Sequence, residues 1–182
     1  DQVVAQVHDE GLATKVLCGG QHRMGEPQGR RLRDVGDRHA QATAVADGNA
    51  AKNFNQQTGG GQWVLHGRYR FVAGNTGYVQ VTDANGQAAA DAVRLVTAGS
   101  PPPSGEIILD NANLGVQDTA GGRSFAGTWC ASEAANKFGA NSLYSCGSGL
   151  DSYRWTPAIA TEGTYDVYVW WSTHPNRSTS VP

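Results

Sequence analysis

The sequence lacks any apolar run of the roughly 18 residues that a membrane-spanning helix needs. It is also poor in charge, because charged residues make up only 16% of its 182 residues and the formal net charge is −2. A nearly neutral chain has no global attraction for nucleic acid or for an anionic membrane. These absences predict a protein with no nucleic-acid partner and no membrane insertion. The 24 glycines are instead typical of turn-rich, secreted β proteins.

Sequence motifs of catalysis and of zinc binding are missing as well. There is no GxSxG elbow, and Gly59–Gly61 lacks the lysine and the following helix of a phosphate-binding loop. No CxxC or HxxxH spacing indicates zinc. Glu162 and Asp166 are spaced closely enough to suggest a glycosidase pair, but nothing in the sequence brings them to one cleft. We therefore predict no catalytic residues and a protein that is not an enzyme.

Cysteine is scarce, with three residues in the chain. Cys130 and Cys146 lie in one strand-and-loop region, and a disulfide between them would contribute about 3 kcal/mol by constraining the unfolded chain. The alternative is two separate buried thiols. Cys18 is left over in either case. The predicted disulfide favours an oxidising compartment, so we expect an extracellular, secreted protein.

The clearest pattern that is present is a two-residue periodicity near the C-terminal end of the sequence. Its β-branched and aromatic residues predict a strand of an antiparallel sheet. One face would carry Tyr165, Val167, Val169 and Trp171, and the other Asp166, Tyr168 and Trp170. Because the second face is aromatic too, it is either covered by other residues or presents its rings to a ligand.

Residues 1–41 do not share this pattern. Several arginines between His22 and His39 have hardly any apolar neighbours, which is typical of a solvated segment, and a nucleic-acid arm is disfavoured because no aromatic residues interleave. Codons offer a third interpretation. Arg30–Asp34 can be encoded as CGA CGT CTA CGT G, and reading one base later gives Asp-Val-Tyr-Val, the string at Asp166–Val169. We hypothesise that residues 1–41 are an irregular segment, of which roughly residues 20–41 are an out-of-frame reading of an earlier copy of the same repeat.

The remaining chain divides at a proline-rich stretch. Residues 98–105 contain three consecutive prolines, which favour an extended linker without ladder donors. Residues 42–97 before it read as short strands, in which an alternating set points inward and His66 points outward. The inward set is Trp63, Leu65, Gly67, Tyr69, Phe71, Val93 and Leu95. Residues 106–182 after it read as further strands, with Trp129, Trp155 and Trp171 in the core.

Several segments resemble a known family in their order along the chain. IILDN (107–111), FAGTW (125–129), YRWTP (153–157), GTYDVYVWW (163–171) and NRSTSVP (176–182) are similar to the first half of golvesin-type domains, also called the carbohydrate-binding-domain-like module of golvesin and xanthan lyase. Residues 54–96, with GGQW and ADAVR, resemble the second half of that domain. His66 stands where a leucine or similar residue is commoner in the family.

This order implies an all-β fold, an antiparallel β-sandwich of jelly-roll type. The second half of one module (42–97) would precede the first half of the next (106–182), as in a fragment of a tandem-repeat array. Neither half alone supplies the strands that two sheets need, so we expect the halves to pack together as a circularly permuted sandwich. Strand exchange between chains, with self-association, is the alternative.

The resemblance implies a non-catalytic extracellular accessory module that binds carbohydrate or the cell envelope, with a polysaccharide or a cell-surface glycan as its partner. The alternative is a structural, self-associating module with no ligand of its own. Candidate sugar-stacking residues are Tyr144, Tyr168 and Trp170. No cofactor is expected, except that similarity to calcium-holding jelly rolls makes Asp91 and Asp110 weak candidates for a structural calcium site.

Overall fold

The computed structural model describes residues 7–8, 50–99, 106–111, 122–147 and 149–182. These residues belong to one of two units, Asp1–Gly11 with Ala44–Pro182, whereas the second unit, Leu12–Thr43, lies outside the described residues. Also outside them lie Cys18, the hypothesised out-of-frame copy and residues 100–105 of the predicted linker. No helix in the described ranges has the length and apolar character that crossing a membrane requires.

Short β-strands connected by turns make up the described residues. They are β1 Val7–His8, β2 Val64–Phe71, β3 Tyr78–Thr82, β4 Ala89–Ala90, β5 Ala92–Thr97, β6 Glu106–Asp110, β7 Gly122–Ala126, β8 Trp129–Ala131, β9 Leu143–Ser145, β10 Ser152–Thr156 and β11 Gly163–Trp170. All strand pairs are antiparallel. The predicted all-β antiparallel fold is confirmed.

The strands form three sheets, and each of them is built from both sides of the linker. One sheet has the order β2-β11-β5-β6, so β11, from the C-terminal part, lies between two strands that precede the linker. A second has the order β1-β3-β10-β7, and the third is β4-β9-β8. The two predicted segments therefore share sheets within one chain. The jelly-roll topology, the circular permutation and the domain boundaries stay predictions.

A single core joins the sheets as a sandwich. Val93 and Leu95 of β5 and Val167 of β11 are fully buried, as the alternation predicts. They belong to the same core cluster as Val79 of β3 and Trp155 of β10, in another sheet. Trp129, Trp155 and Trp171 are each at most 4% exposed, so their predicted core positions are confirmed.

The inward and outward faces of β2 change places at a β-bulge. In the pairing with β11, Val167 lies opposite Gly67 but Tyr168 lies opposite Leu65, so His66 is the extra residue. As a result His66 is buried and Leu65 is 46% exposed. The prediction that His66 points outward and Leu65 inward was wrong, because a bulge reverses the faces of all residues on one side of it. Trp63, also predicted inward, packs against Trp170, whose strand position is outward.

The predicted strand over residues 124–129 is two strands, because the chain turns at Gly127. This glycine has a φ of 81°, a backbone conformation that other residues adopt at a cost. The carboxylate of Asp151 fills the space beside it and accepts hydrogen bonds from the backbone N–H groups of Thr128 (3.1 Å) and Gly147 (3.0 Å). One buried side chain thus fixes the turn from β7 to β8.

The predicted disulfide is confirmed. Cys130 on β8 is bonded to Cys146, which directly follows β9, and the two Cα atoms are 5.9 Å apart. Since β8 and β9 are paired strands, the disulfide reinforces the sheet at its end.

Candidate functional site

Four side chains form a row across the outer face of the sheet β2-β11-β5-β6. Leu65 lies opposite Tyr168, Tyr168 opposite Arg94, and Arg94 opposite Ile108. Their neighbours along the strands, such as Val93, Leu95 and Val167, point into the core, so these four point away from it. We call Leu65, Tyr168, Arg94 and Ile108 the outer-face row.

The ends of the outer-face row are apolar and exposed, and its centre is a cation between aromatic rings. Leu65 is 46% and Ile108 40% exposed. The guanidinium of Arg94 lies 4.5 Å from the ring centroid of Tyr168 and 4.8 Å from that of Trp63. These contacts fix the half-buried Tyr168 ring in one position. A fixed ring between exposed apolar side chains is a surface on which a flat apolar ligand face can rest.

Trp170 lies beside this row and anchors a loop. Its ring packs edge-on against Trp63 and against Phe138, with centroids 5.4 and 5.5 Å apart. Its indole N–H donates to the backbone carbonyl of Asn136 at 2.9 Å. Part of the predicted sugar-stacking surface of Trp170 is therefore occupied by the chain itself, and Arg94 covers one face of the Tyr168 ring.

Tyr144 lies in a different sheet from the other two candidates. It belongs to β9 of the β4-β9-β8 sheet, and the guanidinium of Arg177 covers its ring at 4.5 Å from the centroid. Both residues line an open cavity of about 240 Å³. The structure thus places Tyr168 and Trp170 together on β11 but does not bring Tyr144 to them.

Arg177 is a buried cation, only 3% exposed. Its hydrogen bonds go to neutral acceptors, the side-chain oxygens of Asn176 (2.6 Å), Ser132 (3.0 Å) and Gln87 (3.4 Å). Its Nε–H is buried and has no partner among the described residues. Burial, which disfavours the charged form, lowers the pKa of this guanidinium.

Asp91 and Asp110, the calcium candidates, lie close together at the ends of two paired strands. Burial is the main cause that raises the pKa of Asp91 to about 8. The charge of Asp110 also raises this pKa, whereas a hydrogen bond from the backbone N–H of Phe138 lowers it. Both oxygens of Asp91 already face that N–H at 3.2 Å. Two carboxylates supply fewer oxygens than the six or more that calcium takes, and no group of three or more acidic, histidine or cysteine residues occurs in the described ranges. The donors therefore do not complete a calcium site, and calcium here stays a prediction.

The two carboxylates considered for glycoside chemistry are each held by an arginine. Asp166 accepts two hydrogen bonds from Arg68, at 2.7 and 2.9 Å, and Glu162 is bonded to Arg70. These pairs link β11 and the residue directly before it to β2 along the surface of the sheet.

An internal cavity of about 30 Å³ lies between the sheets, lined largely by apolar residues that include Val79, Trp155 and Val169. Its size suits a water molecule rather than a sugar. Of these two cavities, the one beside Tyr144 is thus the better candidate for a ligand.

Sequence reasoning missed several members of these sites. Leu65 and Trp63 were assigned to the wrong face, and Arg94, Ile108 and Arg177 were not considered. The alternation in β5 already places Arg94 outward between Val93 and Leu95, which is a usable signal. The burial of Arg177 has no comparable signal in the sequence.

Comparison with known proteins is consistent with this fold. The family model described as "Golvesin C-terminal domain" matches residues 37–97 and 114–182. A xanthan lyase of Bacillus sp. (strain GL1) is 35% identical over 83 residues, which cover 44% of this chain and 8% of the lyase. The chain thus matches only a small part of that relative. No solved structure matches significantly.

Proposed function

Because the chain belongs to the golvesin C-terminal domain family, we propose that it is a non-catalytic accessory module that binds carbohydrate. The partial match to a protein named as a lyase of xanthan, a polysaccharide, supports a carbohydrate-related role. The proposed partner is a polysaccharide or a glycan of the cell envelope. The Cys130–Cys146 disulfide supports an oxidising, extracellular location, because disulfides persist there.

The outer-face row is the observation that carries this proposal. A pyranose ring has an apolar face that stacks on aromatic and aliphatic surface, while its hydroxyls need donors and acceptors nearby. Tyr168, Leu65 and Ile108 provide the apolar surface. Arg94 provides a hydrogen-bond donor beside it, and the carboxylate of Glu106, 4.0 Å from the guanidinium, provides an acceptor. Four paired strands hold these side chains, so little ordering is required on binding.

The test is retention of the intact chain by polysaccharides in affinity electrophoresis. Leu65→Ser removes an exposed apolar end of the row, and Leu150→Ser is the matched control, because Leu150 is 87% exposed and lies outside the row. We expect retention by at least one neutral or acidic polysaccharide, a weaker retention of Leu65→Ser and no change for Leu150→Ser. Equal retention of all three proteins would exclude the row as the site.

Self-association is the second candidate function, and one observation favours it. The exposed Leu65 and Ile108 lie on β2 and β6, the two edge strands of one sheet, where a second copy could pack. Sedimentation equilibrium separates the two functions. A monomer that binds polysaccharide supports the first, and an oligomer that dissociates in Leu65→Ser and binds no polysaccharide supports the second.

A further inference from the structure

The cavity beside Tyr144 contains a buried guanidinium, that of Arg177, which forms no ion pair with a carboxylate of the described residues. Buried charged groups in proteins are usually paired with an opposite charge, because desolvation is otherwise costly. The ion pairs of the described residues involve Arg68, Arg70 and Arg94, but not Arg177. Its three side-chain acceptors are all neutral. The guanidinium is thus held in place but not neutralised.

Several contacts hold the guanidinium of Arg177 in position. The backbone N–H of Arg177 donates to the carbonyl of His174 at 3.0 Å, and its own carbonyl accepts from the side chain of Gln57 at 2.8 Å. The ring of Tyr144 covers one face of the guanidinium. The backbone of Arg177, the N–H donors of its guanidinium and the plane of that group are therefore all held by contacts within the protein. Preorganised recognition of an anion requires such a fixed donor group.

The cavity has the size and lining for a small polar ligand with one anionic group. Its volume of about 240 Å³ is below the range of drug-sized pockets and suits a single sugar ring. Besides Arg177 and Tyr144, its polar lining consists of Ser132, Glu133, His174 and Asn176. Glu133 and His174 are exposed, so they lie at the opening and Arg177 at the base.

We propose that this cavity binds the carboxylate of an acidic sugar, with Arg177 as the group that recognises the charge. The planar guanidinium matches a carboxylate in geometry, and its Nε–H is a donor that no acceptor among the described residues uses. This inference rests on the proposed carbohydrate binding and adds a preference for acidic glycans, through a site separate from the outer-face row.

The first experiment compares polygalacturonate with its carboxyl-reduced form, at constant ionic strength, using the intact chain. We expect the carboxylated polymer to bind about 10- to 100-fold more tightly, the range for hydrogen bonds to a charged group. Arg177→Lys keeps the charge but loses the planar fork, and it should reduce that ratio toward one. Tyr168→Ala should weaken the binding of both polymers equally and leave the ratio unchanged.

A second variant guards against misfolding at Arg177. Glu133 is exposed, and Glu133→Gln removes from the opening a negative charge that would repel the carboxylate of the ligand, with no loss of side-chain volume. We expect it to increase the preference for polygalacturonate. Equal binding of the two polymers, or a preference that neither variant alters, would overturn this inference alone. Dextran sulfate binding as tightly as polygalacturonate would overturn the choice of a carboxylate, and no binding to any polymer would overturn the proposed function as well.

Discussion

His66 is the residue whose substitution has the most clearly defined consequence. It is 4% exposed, its Nδ1 lies 2.7 Å from the hydroxyl of Tyr69, and its Nε2 has no partner in the described residues. Burial, and to a lesser degree the charge of Lys52, lowers the pKa of His66 from 6.5 to about 4. The folded protein therefore favours the neutral imidazole, whereas the unfolded chain takes up a proton near pH 6.5.

The sign of the pH dependence follows from that difference. The stabilisation from a neutral His66 is fully present above pH 6.5 and is lost as the pH falls from 6.5 to about 4. At about 1.4 kcal/mol per pKa unit, the loss amounts to about 3 kcal/mol. His66→Leu has no proton to gain, so its free energy of unfolding should not show this loss. Near pH 8 the variant should lie within about 1.5 kcal/mol of the parent, because leucine fills a similar volume and the swap removes one hydrogen bond, that with the hydroxyl of Tyr69.

Urea unfolding followed by tryptophan fluorescence, at steps between pH 8 and pH 4, measures this difference. The control is His174→Gln, which removes a histidine that is exposed rather than buried. If the parent and His66→Leu lose stability in parallel between pH 6.5 and 4, the burial argument for His66 is wrong.

Three further predictions concern other parts of the fold. In EDTA, Asp91 should contribute a fall in the free energy of unfolding of up to about 1.4 kcal/mol per pH unit as the pH rises from about 4 to about 8, because its raised pKa favours the neutral form in the folded protein. Below pH 6.5 this contribution is opposite in sign to that of His66, so it is measured as the difference between the parent and Asp91→Asn. Asp91→Asn should not show this fall, and calcium that abolishes it in the parent would establish the predicted ion. Reduction of the Cys130–Cys146 disulfide should lower the free energy of unfolding by about 3 kcal/mol in urea titrations. Gly127→Ala should lower the free energy of unfolding by more than about 2 kcal/mol, because the φ of Gly127 is 81° and an added Cβ would lie 1.8 Å from an oxygen of Asp151. An unchanged melting temperature of this variant would contradict the described packing of Asp151 against Gly127.

The strands with strict alternation could be predicted from the sequence, because their faces differ in chemistry. In β11 the buried Tyr165 and Val167 alternate with the half-buried Asp166 and Tyr168, and turn residues mark its start. The bulge at His66 could not be predicted in the same way. An extra residue in one strand is defined by its pairing with another strand, in this case β11, which lies far away in the sequence.

The candidate sites depend still more on long-range pairing. Tyr168 could be placed on an outward face, but its neighbours Leu65 and Ile108 come from strands on both sides of the linker. In the sequence, Tyr144 and Tyr168 are equally good candidates for a sugar-stacking ring. The sheet order shows that they belong to different sheets. The burial of Arg177 depends on Ser132 and Gln87, more than 40 residues away, which no local pattern contains.

The central claim is that the outer face of the sheet β2-β11-β5-β6 binds carbohydrate, and Tyr168 is its most central ring. Isothermal titration of the parent and of Tyr168→Ala, with a polysaccharide that retains the parent in electrophoresis, tests it most directly. We expect a loss of at least about tenfold in affinity, the size expected for a stacked ring, in a variant that is still folded at the temperature of the titration. Equal affinities for two equally folded proteins would contradict it.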